Sequence, residues 1–396
     1  MARSAPHLSS PREPGASIAL HGLLGGLGAR EFLVRYWQKR PLLVRGAWPQ
    51  FEEPASAADL FRLATRDDCE SRVVRRSGRR WRLDHGPFTR TTLQRMPARD
   101  WTLLLQGLNH RVPAADRMLR AFSFIPYARL DDVMASYAAP GGGVGPHVDS
   151  YDVFLIQGRG RRRWRISRQR DLELDPRAPL KILRNFRPQQ EWVLESGDML
   201  YLPPGVAHDG TALDQCVTYS IGFRAASQHE LATEFLAFLQ DRFRGGDRRY
   251  ADPDLRSTRR PAEIGVDFVE RCAAMLGRVH WTRTDIERFI GRYFSEPKPH
   301  VQFARPTRPL AASAFLRACA RSGLRLAGAT GMLYRRGYIY ANGEESAATG
   351  RTRRLLERLA DDRKLAPDTV LTREAASLLY SWYRAGYLVL EGHDDG

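Results

Sequence analysis

From residue 41 to residue 223 the apolar positions come in short runs broken by glycine, proline and charge, and beyond residue 228 they recur three or four apart. Side chains alternate across a strand but return to one helix face every 3.6 residues, so the first stretch predicts strands and the second helices. Strands are expected at Pro41–Val44, Cys69–Val74, Arg80–Asp84, Trp101–Gln106, Val133–Ala138, Arg161–Ser167, Met199–Leu202 and Cys216–Phe223. Helices are expected over His21–Trp37, over Ala58–Arg66, where Ser56 and Asp59 have capping-box spacing, and over Ala114–Leu119. Many short strands punctuated by turns indicate a small barrel or jelly roll.

Further on, His229–Phe243, Phe268–Leu276 and Arg283–Phe294 predict a helical bundle, and such a bundle beyond a barrel commonly closes a dimer. Proline-rich Pro297–Pro309 reads as a linker. Helices at Ala312–Ala318, Arg353–Ala360 and Arg373–Ala385 surround strands at Leu324–Leu326, Met332–Arg336, Tyr338–Ala341 and Tyr387–Leu390, with Asn342-Gly343 as a turn, a winged-helix-like order. The expected class is α+β: a disordered tail 1–19, a strand-rich domain 20–225, a helical domain 226–296, a linker 297–310 and a winged-helix-like domain 311–396.

The chemistry is concentrated between Pro140 and His208. If Val148 lies in a strand, His147 and Asp149 share a face. Gly197-Asp198 then turns the chain, Met199–Leu202 forms an apolar strand ending at Pro203-Pro204, and His208 follows. Two imidazoles and one carboxylate occupy one face of an octahedron and leave the other open, the pattern of non-haem Fe(II) oxygenases. The net positive charge of such a centre favours a chelating anion such as 2-oxoglutarate, with dioxygen in the remaining position. In the strand Arg161–Ser167, Arg162 falls on the face of Trp164 and Ile166. A guanidinium there needs an anionic partner, so Arg162 is the candidate for the far carboxylate of the keto acid. Ser136, Tyr137, Thr218 and Ser220 place polar tips on neighbouring apolar strands. The run Gly141–Gly145 has no following Gly-Lys-Ser/Thr and is read as a close backbone passage, not a phosphate loop.

Charge and cysteine content add two bounds. The formal net charge is +17, and all but four of the 62 basic residues are arginine, a bias that base composition produces as readily as function does. It supports a basic surface meeting acidic or RNA-rich surroundings, yet no RRM aromatic set, zinc finger or basic zipper is present, so direct nucleic-acid binding is not expected. Cys69, Cys216, Cys272 and Cys319 form no CxxC pair, which disfavours structural zinc and fits a reducing compartment. With no long apolar run and no signal-peptide core, the expected location is the cytoplasm, away from membranes.

The segment PGGGVGPHVDSYDVFLIQGRGRRRW from Pro140, with GDMLYLPPGVAHDG from Gly197, YSIGFRA from Tyr219 and YANGE from Tyr340, resembles the bacterial JmjC-type ribosomal oxygenases. The resemblance implies a double-stranded β-helix (JmjC/cupin) core, a helical dimerisation domain and a C-terminal winged helix. It further implies Fe(II), 2-oxoglutarate and O2, and hydroxylation of an arginine β-carbon in the large-subunit ribosomal protein uL16, by a homodimer. Carried over by position, it makes His147, Asp149 and His208 the iron ligands, Arg162 and Ser136 the cosubstrate contacts, and Leu155, Ile156 and Gln157 the lining of the bound ligands. For the arginine substrate that the resemblance implies, Asp131, Asp132, Asp152 and Asp209 are candidates to grip the cation. Ser150 and Val206-Ala207 depart from the family pattern. The competing readings are a hydroxylase of histidine, asparagine or lysine, and a non-enzymatic winged-helix sensor of a metal or ligand.

Overall fold

The computed structural model describes residues 20–242 and 249–391; the expected tail 1–19 lies outside them. The chain divides into two compact units, Met1–Ala225 with His300–Gln302, and Ala226–Pro299 with Phe303–Gly396.

The first unit contains strands β1 (Leu42–Val44), β2 (Ser71–Ser77), β3 (Arg80–His85), β4 (Trp101–Leu105), β5 (Leu130–Ala138), β6 (His147–Val148), β7 (Val153–Gln157), β8 (Arg162–Ser167), β9 (Gln190–Leu194), β10 (Met199–Leu202), β11 (Ala207–Ala212) and β12 (Cys216–Phe223). They form an antiparallel sheet in the order β1-β10-β7-β12-β5-β4-β2-β3 and a smaller one, β6-β11-β8-β9. The result is a jelly roll, as the strand pattern predicted.

Alternation along each strand sorts the apolar side chains into two cores. Phe154, Ile156, Tyr201, Tyr219 and Val133 point to the outer face of the large sheet, under helices α1 (Leu20–Leu23), α2 (Ala29–Arg35), α3 (Ala57–Leu63), α4 (Arg90–Gln94) and α5 (Pro113–Arg120). Val153, Leu155, Leu200 and Leu202 point inward and meet Trp164, Ile166 and Leu194 of the small sheet. The expected helix His21–Trp37 is two helices, because Gly25 and Gly26 take φ of 65° and 86°, a conformation that ends a right-handed helix. The Ser56–Asp59 capping box at α3 is present in both directions. Strand β9 was not legible because its first residues, Gln190 and Glu191, are exposed and polar.

A buried acid ties the outer core to the sheet. Asp152 is fully buried and accepts hydrogen bonds from the Tyr201 hydroxyl at 2.6 Å and the Gln38 amide at 2.9 Å. Phe32 of α2 packs edge-on against Tyr201, with ring centroids 5.0 Å apart.

In the second unit, α6 (Gln228–Arg242), α7 (Val266–Leu276) and α8 (Arg283–Ser295) precede α9 (Ala312–Ser322), β13 (Leu324–Leu326), β14 (Met332–Arg335), β15 (Tyr338–Ala341), β16 (Glu344–Ala347), α10 (Gly350–Asp362), β17 (Lys364–Leu365), α11 (Arg373–Ala385) and β18 (Leu388–Leu390). The turn at Asn342-Gly343 has φ of 52° and 85°, the positive pair that a tight hairpin needs, and it leads into β16, whose glutamates hid it in the sequence. Helix α8 lies on this small sheet, where Arg288 forks onto Glu345 with Nε 2.8 Å from Oε2. Helix α7 has no buried residue, and Val266, Val269 and Leu276 on it are 71%, 50% and 72% exposed.

Candidate metal centre

The chain passes from β5 of the large sheet to β6 of the small one through the glycine run. A Cβ on Gly142 would lie 2.1 Å from the Trp101 carbonyl oxygen, and one on Gly143 would lie 2.4 Å from that of Gly210. Only glycine permits this crossing, and it delivers β6 alongside β11 with His147 directly opposite His208. The two ring centroids are 4.2 Å apart. Asp149 completes the group, its Oδ1 3.9 Å from His147 Nε2 and its Oδ2 3.6 Å from His208 Nε2. One donor atom from each of the three lies within 4.8 Å of the others.

Both histidines are oriented by the backbone two residues earlier. His147 Nδ1 is 2.9 Å from the Gly145 carbonyl, and His208 Nδ1 is 2.9 Å from that of Val206. A carbonyl can only accept, so each Nδ1 carries the proton and each Nε2 presents its lone pair toward Asp149. Burial, and then the neighbouring His147, hold the His208 imidazole well below its ordinary value, in the neutral form that binds a metal. The donor set therefore fits a divalent iron, with two imidazoles and one carboxylate on one side. The carbonyl acceptors escaped the sequence reading, although the shared spacing Gly145-Pro146-His147 and Val206-Ala207-His208 is a usable signal.

Arg162 faces the interior as its alternation predicted. It is 4% exposed, its Nη2 is 3.4 Å from the Ser136 carbonyl oxygen, and among the described residues no carboxylate pairs with it. Arg162 Nε, Ser136 Oγ and Trp164 Nε1 are all buried without a hydrogen-bond partner. An unpaired guanidinium beside an orphaned hydroxyl is costly in a closed core, so the pocket suits an anionic guest. Trp164 was not singled out as a site residue; its ring lies 6.0 Å from that of His208 and 5.9 Å from the Arg162 guanidinium carbon, so it spans the two ends of the site.

The run Leu155 to Gln157 does not share one face. Leu155 and Gln157 point inward, whereas Ile156 packs in the outer core with Phe154 and Tyr219, a correction that strand alternation requires. The Gln157 amide is already committed: its Nε2 donates to the Arg159 and Val217 carbonyls at 3.0 and 3.2 Å, and its Oε1 accepts from Thr218 at 2.9 Å. Tyr137 also points outward, 4.9 Å from Phe61 between ring centroids.

Of the four acids considered for substrate, Asp152 serves the buried network above and Asp209 pairs outward with Arg165 at 2.6 Å. Asp132 accepts from Gln106 and from the Gly107 amide, and Asp131 lies 3.6 Å from Arg224. Tyr151 is 39% exposed as a residue, and burial of its hydroxyl, followed by the Asp149, Asp132 and Asp131 charges, pushes its phenol upward.

Residues 117–231 match the JmjC domain, and residues 278–389 match the ROXA-like winged helix. The "Ribosomal protein uL16 3-hydroxylase" of Escherichia coli (strain K12) is 35% identical over 282 residues, covering 70% of this chain and 74% of that protein. The chain belongs to the JmjC-type ribosomal oxygenases. Its fold is accordingly the JmjC/cupin jelly roll with a ROXA-like winged helix. Among solved structures, E. coli ycfD superposes with a TM-score of 0.81 at 32% identity, covering 92% of this chain and 98% of that one. The structure of YcfD "in complex with Cobalt and 2-oxoglutarate" gives a TM-score of 0.79 at 32% identity, with 92% and 99% coverage. Among the described residues of this ribosomal oxygenase, no helix is long and apolar enough to cross a membrane.

Proposed function

We propose that the chain is a 2-oxoglutarate-dependent non-haem Fe(II) dioxygenase that hydroxylates the β-carbon of an arginine in ribosomal protein uL16, with 3-hydroxyarginine, succinate and carbon dioxide as products. The observation that carries this reading is the coincidence, inside one jelly roll, of three lone pairs aimed at a common point and a buried guanidinium with no carboxylate partner among the described residues. The name of the E. coli relative and the cobalt and 2-oxoglutarate bound by YcfD support the substrate and the cofactors.

In this reading His147, Asp149 and His208 hold Fe(II), Arg162 and Ser136 take the distal carboxylate of 2-oxoglutarate, and Leu155 and Gln157 line that space. When bound, iron would activate O2 and the keto acid would supply two electrons as it is oxidised to succinate and carbon dioxide, the chemistry needed to hydroxylate an unactivated C–H bond. The chain's own part is placement. The Gly145 and Val206 carbonyls fix both tautomers, Arg162 sets the orientation of the keto acid, and the apolar inner core of Leu155, Trp164 and Leu200 excludes water. Residues 20–225 form the catalytic domain, 226–296 the dimerisation domain, 297–310 a linker and 311–396 the winged-helix domain. The bare apolar face of α7 supports a homodimer, since an exposed apolar stripe of this kind is covered in most soluble proteins. A ribosomal-protein substrate puts the enzyme's work in the cytoplasm.

The test is anaerobic loading with Fe(II) and 2-oxoglutarate, exposure to air with intact uL16, and mass mapping of its peptides. One oxygen atom gained on a single arginine, with matching succinate, is the expected result, and Asp149→Ala should show neither. Oxygen on a histidine, asparagine or lysine instead would replace the substrate assignment, and unaltered turnover in Asp149→Ala would overturn the site.

A further inference from the structure

The hairpin β2–β3 is the open edge of the large sheet, and it carries an unusual charge. Arg72, Arg75, Arg76, Arg79, Arg80 and Arg82 stand against Asp84 alone between residues 72 and 85. Asp84 is shared by Arg75 and Arg82 at 2.6 and 2.9 Å, and Arg76 lies 3.6 Å from Asp100. Among the described residues Arg79 and Arg80 have no ion pair, and both are exposed. Arg75 and Arg82 are cross-strand partners, and Arg80 is two residues along, so three guanidiniums share one face of a two-stranded ribbon with Arg79 in the turn.

The opposite face of this ribbon, that of Trp81, lies against the segment that leads into the metal centre. A Cβ on Gly145 would lie 3.0 Å from Trp81 Cζ2 and 3.1 Å from Ile182 Cδ1, and the Gly145 carbonyl is the one that orients His147. We propose that the β2–β3 ribbon binds an RNA phosphate backbone, so that the oxygenase meets its protein substrate as part of a ribonucleoprotein. The choice of RNA rests on the reading that the substrate is a ribosomal protein, whose neighbours are phosphates. An acidic peptide is the other occupant that the charge would suit, and competition by polyglutamate tests for it. Planar guanidiniums grip phosphate oxygens in pairs, and the cost of collecting them on one face is relieved when counterions leave the RNA. The proposal runs against the expectation of no direct nucleic-acid contact, which was drawn from the lack of a recognised module.

The test uses the full-length protein without metal, keto acid or uL16, and follows the fluorescence anisotropy of a labelled RNA hairpin of about 20 nucleotides between about 50 and 200 mM salt. Each released counterion is worth close to tenfold near 0.1 M salt, so Arg79→Glu with Arg80→Glu should weaken binding by at least about 60-fold and lower the log–log salt slope by at least about 2. The same charge reversal at exposed Arg351 and Arg354 of α10 should change it far less. No RNA binding by the wild type at low salt, equal losses in both double variants, or equal competition by polyglutamate would each overturn the proposal. Because the assay contains no substrate, its failure leaves the hydroxylase reading standing, and failure of hydroxylation leaves the RNA result intact.

Discussion

Replacing Arg162 with methionine distinguishes a guanidinium kept for a ligand from one kept for the fold, because the two roles give stability changes of opposite sign. Arg162 is 4% exposed, and it reaches the Ser136 carbonyl at 3.4 Å, with the Trp164 ring 5.9 Å away. Exchanging a poorly compensated buried charge for an apolar side chain of similar length is often stabilising by about 1–4 kcal/mol, and the ring contact returns about 1 kcal/mol of that. A net gain of about 2 kcal/mol in the ligand-free protein corresponds to a Tm rise of roughly 4–8 °C for a unit of this size. Affinity for the keto acid should move the other way. Truncating one partner of a desolvated charge pair costs about 2–5 kcal/mol, so the Kd for 2-oxoglutarate should rise by at least about 30-fold. Calorimetric melting of the metal-free protein and anaerobic titration of 2-oxoglutarate into the Mn(II)-loaded protein measure the two effects. Arg162→Lys keeps the charge without the planar fork and should recover only part of the affinity. If Arg162→Met lowers Tm while leaving the Kd unchanged, Arg162 is a structural residue and the cosubstrate assignment fails.

Gly143→Ala should destabilise the fold by about 3 kcal/mol, since the added methyl meets a backbone oxygen at 2.4 Å that cannot rotate aside; urea unfolding measures it. Tyr201→Phe removes the 2.6 Å hydrogen bond to fully buried Asp152 and should cost about 1.5–3 kcal/mol in the same assay. In the second unit, the hydrogen bond and charge of Arg288 hold Glu345 below its ordinary value. A carboxylate whose folded pKa is depressed contributes stability above its unfolded value, lost as pH falls through the folded one. Melting curves should therefore show a loss below about pH 4.5 that Glu345→Gln reduces; an identical acid profile in that variant would rule the linkage out.

Period-two and period-3.6 patterns located Met199–Leu202, Cys216–Phe223, Tyr338–Ala341 and Arg373–Ala385 with the bounds the structure has, because each is apolar on a face that becomes buried. Elements whose residues are polar were missed: β9, β16 and the short α4 draw their stability from pairing and packing with neighbours remote in sequence. The position of Arg162 on an apolar face was legible from alternation alone. The split of Leu155 from Ile156 follows from the same rule, and carrying the three residues over as one block obscured it.

The sequence by itself determined the donor types of the metal centre and the inward direction of Arg162, since both depend on local alternation and residue chemistry. It also supplied the glycines at 142 and 143, the only residue type able to cross between the sheets there, although the need for that crossing is visible only once the Trp101 and Gly210 carbonyls are in place. Tertiary structure alone decided that His147 stands opposite His208, that Asp152 and Asp209 are committed elsewhere, and that the arginine ribbon lies beside Gly145. These are relations between residues dozens of positions apart, set by strand register and sheet packing, which a local pattern does not encode.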